Sequence, residues 1–178
     1  MKKLLLILFL PLLFVGVCAM VAPADQGEEA NAKIKAIYIY NFTKYIEWPD
    51  DYKQGNFVVG VIGNSAALLG ELNKMASTKT VGAQKFEIKS ISSIGDVAQC
   101  HIVYILNESS AQLPDVIGKT KGKSALIVTD KDGLATKGSA INFVIVENKQ
   151  KIELNKSNIE KYKLKVAAQL VEMAVAVK

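Results

Sequence analysis

Apolar residues in this chain fall into short unbroken runs and into longer stretches where they recur every three or four positions. Glu28 through Glu47 has helix-forming composition, with Ile34, Tyr38, Asn41, Tyr45 and Trp48 spaced four, three, four and three apart, which places them on one helical face. Ile37, Ile39, Phe42 and Ile46 add apolar character elsewhere around the same helix, so burial on more than one side is expected. Pro49 stops it and Asp50-Asp51 open a polar loop. Phe57 to Gly63 is a β-rich apolar run of the kind covered on both faces. A helix is predicted from about Ser65 to Ser77, then strands over Lys85 to Ile91 and His101 to Leu106. Ser109 to Lys119 reads as a helix with Pro114 in its first turn, and Ser124 to Thr129 as a further strand closed by the turn Asp130-Lys131-Asp132-Gly133. Ala140 to Val146 and Lys149 to Leu154, split at Asn148, predict a hairpin and an antiparallel edge. Lys156 to Lys178 returns to helical spacing through Leu164, Ala167, Leu170, Val171 and Ala174.

Strands alternating with helices imply an α/β protein with a mixed, mostly parallel sheet. Helices should lie on both faces, with the antiparallel hairpin and one closing helix at the C-terminal end. The first residues have a different role. Lys2 and Lys3 precede an apolar run from Leu4 to Val17, too short to span a bilayer comfortably and followed by small residues, which is the pattern of a cleaved export signal. Cleavage is expected after Ala19 or Ala24, and Val17 ahead of Cys18 argues against a lipid anchor. Residues 1–24 then comprise signal peptide and mature tail, residues 25–178 a single domain, and the location is periplasmic.

Composition narrows the partners. The formal charge of +5 falls to +3 once Lys2 and Lys3 are removed, and every basic residue is Lys. Without Arg the bidentate fork that reads phosphates and guanine is missing, so nucleic acid is not an expected partner. Either cut leaves Cys100 as the only thiol, which forbids an internal disulfide and permits redox pairing only between chains.

Motifs that resemble catalysis fail on context. Gly118-Lys119-Thr120 has the ending of a phosphate-binding loop but leads from helix to strand, and Leu113 stands where the first Gly belongs, so a solvated loop with Lys119, Lys121 and Lys123 is expected. Ser65 lies in a strand-to-helix turn, as a hydrolase nucleophile would, yet a helix N-cap explains it fully. Asp130 to Gly133 lacks both the first carboxylate and the closing Glu of a calcium loop. Cys100 and His101, neighbours at a strand start, should point to opposite faces, and His101 is the only histidine. No cofactor is called for, and the chain is expected not to be an enzyme. An alternative reading places a ligand crevice at the carboxyl ends of the parallel strands, lined by Asn64, Ser65, Asn107 and Asp130, which would make the chain a small-molecule binding protein.

Three stretches together resemble the YfiR family of periplasmic proteins. The first is Lys35 to Pro49, a helix ending in Glu47-Trp48-Pro49. The second runs from Phe57-Val58-Val59-Gly60-Val61-Ile62-Gly63 to the Cys100-His101 strand. The third runs from Leu126 to Asp130 through Gly138, Ile141-Asn142-Phe143 and Ile152-Glu153-Leu154-Asn155 into the closing helix. The resemblance implies a sandwich of helices around a mixed sheet, a homodimer, and action by binding: in the best-known system such a protein holds an inner-membrane diguanylate cyclase inactive through its periplasmic sensor region, tuned by redox state and an outer-membrane lipoprotein. It therefore implies a membrane signalling partner, a diguanylate cyclase or a histidine kinase. The family's redox-responsive members carry several cysteines, and this chain departs from them by keeping only Cys100. Tyr38, Tyr45 and Trp48 have two readings, core filling or partner contact, because aromatics serve both.

Overall fold

A computed structural model describes residues 26–177. The export signal and its cleavage sites lie outside the described residues. The chain opens with α1 (Gln26–Tyr45), β1 (Ile46–Glu47), β2 (Phe57–Ile62), α2 (Ala66–Ala76), β3 (Thr80–Val81), β4 (Gln84–Ser90) and β5 (Ile102–Ile105). It continues through α3 (Leu113–Thr120), β6 (Leu126–Thr129), β7 (Ile141–Val146), β8 (Lys149–Leu154), α4 (Lys156–Lys161), β9 (Lys165–Val166), α5 (Ala168–Met173) and β10 (Ala176–Val177). Among the described residues no helix is long and apolar enough to cross a membrane.

Eight strands form one mixed sheet in the order β10-β8-β7-β6-β5-β2-β4-β3. The stretch from β4 to β7 is parallel, as expected of apolar strands joined by crossovers, and β7–β8 and β3–β4 are antiparallel. Every residue of β2, β5 and β6 is buried, so the central strands are covered on both faces. Phe86 and Phe143 face α1, meeting Tyr40 at 5.7 Å and Phe42 at 6.1 Å between ring centroids. On the other face Gly60 admits Cys100, which follows the 3-10 turn Ile94–Gln99, and α3 packs on that turn. A Cβ at Gly60 would lie 2.6 Å from Cys100 Sγ, so only Gly allows this approach.

The mixed sheet, its helices on both faces and the antiparallel C-terminal pair agree with the pattern of the chain. Pro114 does lie in the first turn of α3. Gly118 to Thr120 belong to the last turn of that helix rather than to a loop, with Thr120 Oγ1 donating back to the Val116 carbonyl at 2.7 Å, while Lys119, Lys121 and Lys123 are exposed as expected.

Three expectations are corrected. The inward face of α1 is Ala32, Ala36, Ile39 and Phe42, continued by Ile46, while Ile34 and Ile37 are 41% and 44% exposed. A helix apolar most of the way round has no single face that spacing can pick out, and two small residues, Ala32 and Ala36, lie on the side that is buried. Second, the hairpin is not the edge of the sheet, because β10 adds alongside β8 in parallel. Third, the closing helix is two short helices. Lys163 takes a left-handed φ of 58°, which ends α4 so that Leu164 is buried. The next two residues form β9, antiparallel to β1, with Ile46 opposite Val166.

Candidate functional site

The loops after β2 and β5 meet where the strand order reverses: β4 lies on one side of β2 and β5 on the other. In open α/β sheets such a reversal leaves a crevice at the carboxyl ends of the strands. Gly63, at φ 112°, is forced by this meeting, since a Cβ there would come within 2.6 Å of Glu108 Oε1 and 2.8 Å of Leu106 Cβ. Asn64 N–H donates to Glu108 Oε1 at 3.1 Å, locking the two loops together. Ser65 is the N-cap of α2, its Oγ accepting from Leu68 N–H at 3.2 Å, which is the capping role expected of it.

Asp130 follows β6. Its Oδ2 accepts from Lys35 Nζ at 2.8 Å and from the Tyr104 hydroxyl at 2.8 Å, so one carboxylate oxygen joins α1 to the sheet. Burial, then the neighbouring Asp130 charge, pushes Tyr104 well above the ordinary tyrosine range, which keeps it a hydroxyl donor. Tyr38 stands over the same region, edge-on to Phe143 at 5.7 Å, and Tyr104 lies 5.6 Å from that ring.

One cavity of about 210 Å³ is lined by Glu28, Asn31, Lys35, Asn64, Ser65 and Glu108, among others. A second, of about 190 Å³, is lined by Asn31, Lys35, Asp130, Asp132, Phe143 and Gln150, with Val144 and Ile145. The structure thus brings Asn64, Ser65 and Asp130 to neighbouring cavities that share Asn31 and Lys35. Asn107 is exposed and lines neither; its neighbour Glu108 takes that place. Asn31, Lys35, Glu108 and Gln150 escaped sequence reasoning. A topological rule finds loops at strand ends, but nothing in strand order says that α1 crosses above them.

The opposite end of the sheet is closed by aromatics. His101 Nδ1 accepts from Val58 N–H at 3.1 Å and its Nε2 donates to the Tyr52 carbonyl at 2.8 Å, so both ring nitrogens are engaged and the neutral Nε2–H form is the one that fits. The ring stacks on Phe57 at 4.4 Å, and burial lowers its pKa below 6.5, opposed by the Tyr52 hydrogen bond. Trp48 is 5% exposed, meets Phe57 edge-on at 4.9 Å and donates from Nε1 to the Ser124 carbonyl at 3.1 Å. That is a core position. Tyr38 and Tyr45 are half-buried. Cys100 is 2% exposed, its thiol pushed up to about 11 by burial. Pairing between folded chains would need that sulfur at the surface, where it does not lie. Among the described residues no group of three or more His, Cys, Asp or Glu could hold a metal ion.

In the third stretch of the resemblance, two asparagines hold the backbone together. Asn142 Oδ1 accepts from Thr129 Oγ1 at 2.7 Å, and its amide lies 3.3 Å from Glu153 Oε2 across the β7–β8 pair. Asn155 caps α4 by accepting from Asn158 N–H at 3.0 Å and donates to the Ala135 carbonyl at 2.8 Å.

Residues 32–175 match the model of the YfiR/HmsC-like family. No curated protein sequence matches the chain. Among solved structures, a conserved domain protein from Vibrio cholerae O1 biovar El Tor is similar at 12% identity and a TM-score of 0.55, covering 83% of this chain and 60% of that one. An ABC domain in complex with L-Trp from Streptococcus pneumoniae is similar at 10% identity and a TM-score of 0.55, over 83% of this chain and 62% of that one. This chain therefore spans about three fifths of the length of these structures, and at such identities the likeness is one of fold.

Proposed function

Because this chain belongs to the YfiR/HmsC-like family, we propose that it is an exported regulator that binds the periplasmic sensor region of a membrane signalling protein, a diguanylate cyclase or a histidine kinase, and modulates its output. The observation that carries this reading is the family match itself, which runs from within α1 to just short of β10. The family's theme is regulation of cyclic-di-GMP signalling and not catalysis. Support also comes from the fate of the polar motifs, since Ser65, His101 and Asn155 each have a structural task that accounts for them.

The outward side of α1 is the proposed contact surface. Tyr38 and Tyr45 keep part of their rings exposed there, and Ile34 and Ile37 present apolar surface that the core does not use. Trp48 serves the contact only by holding the end of α1 in place. The protein acts in this reading as a homodimer, with no cofactor.

Affinity capture from detergent-solubilised membranes at native expression tests the reading. It should recover a membrane protein with an extracytoplasmic sensor and a cyclase or kinase output. Replacing Ile34 and Ile37 together by Asp should abolish recovery while leaving the far-UV circular dichroism unchanged. Recovery of no such partner by the unaltered protein would sink the proposal.

A further inference from the structure

Two buried acceptor oxygens have no hydrogen-bond donor among the described residues, Asp130 Oδ1 and Gln150 Oε1. Both residues line the same cavity of about 190 Å³. Turning the Gln150 amide over would not relieve it, because Nε2 already donates to the Val144 carbonyl at 2.9 Å and the Lys151 carbonyl at 3.2 Å. The Asp130 side chain is 8% exposed, and the bonds it receives from Lys35 and Tyr104 both fall on Oδ2. A buried acceptor left unpaired is destabilising, and native proteins leave few. Two in one cavity wall, both lacking a donor, point to a ligand that brings N–H groups.

The charge of the crevice gives the sign of that ligand. Asp130 and Asp132 line one cavity and Glu28 and Glu108 the other, against Lys35 alone, which is already paired with Asp130. This is an acidic pocket on a chain whose formal charge is +5. Phe143 and Ile145 supply an apolar wall beside it. The volume is below the roughly 300–1,000 Å³ of drug-sized sites, so the occupant is compact.

We propose that the cavity beyond the carboxyl end of β6, walled by β7 and β8, binds a small aliphatic amine, its ammonium donating to Asp130 and Gln150 and its carbon chain resting on Phe143 and Ile145. An ammonium has three donors and no acceptor, which complements two unpaired oxygens. This goes beyond the regulator reading and does not depend on it.

The test is calorimetric titration of the purified protein, in the form its own cells make, with 1,4-diaminobutane, with butylamine and with neutral 1,4-butanediol. Both amines should bind saturably and the diol should not. Asp130→Asn should weaken amine binding roughly tenfold or more, the loss of one charge-assisted hydrogen bond. Because Asp130 also fastens α1 to the sheet, the exposed Asp132 provides a second variant that leaves the fold alone. Asp132→Lys should weaken binding about fivefold or more through charge reversal at the wall. The proposal is overturned by absence of saturable amine binding to the unaltered, folded protein, by equal binding of the diol, or by unchanged affinity in Asp132→Lys.

Discussion

His101 is the only histidine, and both of its nitrogens are spent on backbone groups of other segments. Protonating Nδ1 would turn an acceptor into a donor facing the Val58 N–H, so the folded state resists the charge that the unfolded chain accepts. Its pKa is lowered from 6.5 in the folded protein, chiefly by burial. Between that lower value and 6.5 the unfolded chain binds more protons, so stability is full above the window and is lost as pH falls through it. Urea midpoints should decline as pH is lowered through the range just below 6.5, and His101→Gln, which cannot titrate there, should lack that decline. A wild-type midpoint flat across this range would contradict the assignment. Ser65 gives a simpler case. Its hydroxyl caps α2 and nothing in its surroundings makes it a nucleophile, so Ser65→Ala should lower unfolding free energy by about 1 kcal/mol and leave recovery of the membrane partner within error.

Elements differ in how plainly they could be read. The central strands were legible because both faces are buried and every position had to be apolar, leaving runs that no exposed loop would carry. The hairpin was legible at Asn148, one of two adjacent residues with positive φ, Glu147 at 50° and Asn148 at 58°, as a two-residue turn of mirror-image type requires. Glu147 is the poorer fit there, and Glu147→Asn should raise the thermal midpoint through a gain of about 0.5 kcal/mol; a fall would mean that Glu147 makes a contact that matters more than its backbone. The closing segment was misread because Leu164, Ala167 and Leu170 keep helical spacing while the backbone between them does not stay helical. Spacing records which side chains are buried, and a strand followed by a short helix can bury the same ones. In the crevice, Asn64, Ser65 and Asp130 were accessible to reasoning because strand ends are, whereas Lys35 and Gln150 arrive from elements whose position depends on packing.

Across the whole molecule the departure in cysteine content has a physical counterpart. Cys100 lies between β2 and the 3-10 turn before it, with Sγ 3.7 Å from the Asp96 carbonyl and Gly60 leaving just enough room. A thiol with a pKa of about 11 and almost no exposure is protonated and unreachable at neutral pH. Thiol reagents should therefore label the protein only as it unfolds, with kinetics that follow global opening, and non-reducing electrophoresis of native protein should show no linked dimers. Rapid labelling of the folded protein would show that this side of the sheet opens locally. A different consequence follows from the short pairing of β1 with β9. One half of that clasp follows directly from the first helix and the other arrives near the chain's far end. The helix keeps its tail unfastened until the segments between have taken their places, so this clasp closes as a last, long-range step and cannot be completed by neighbouring residues alone.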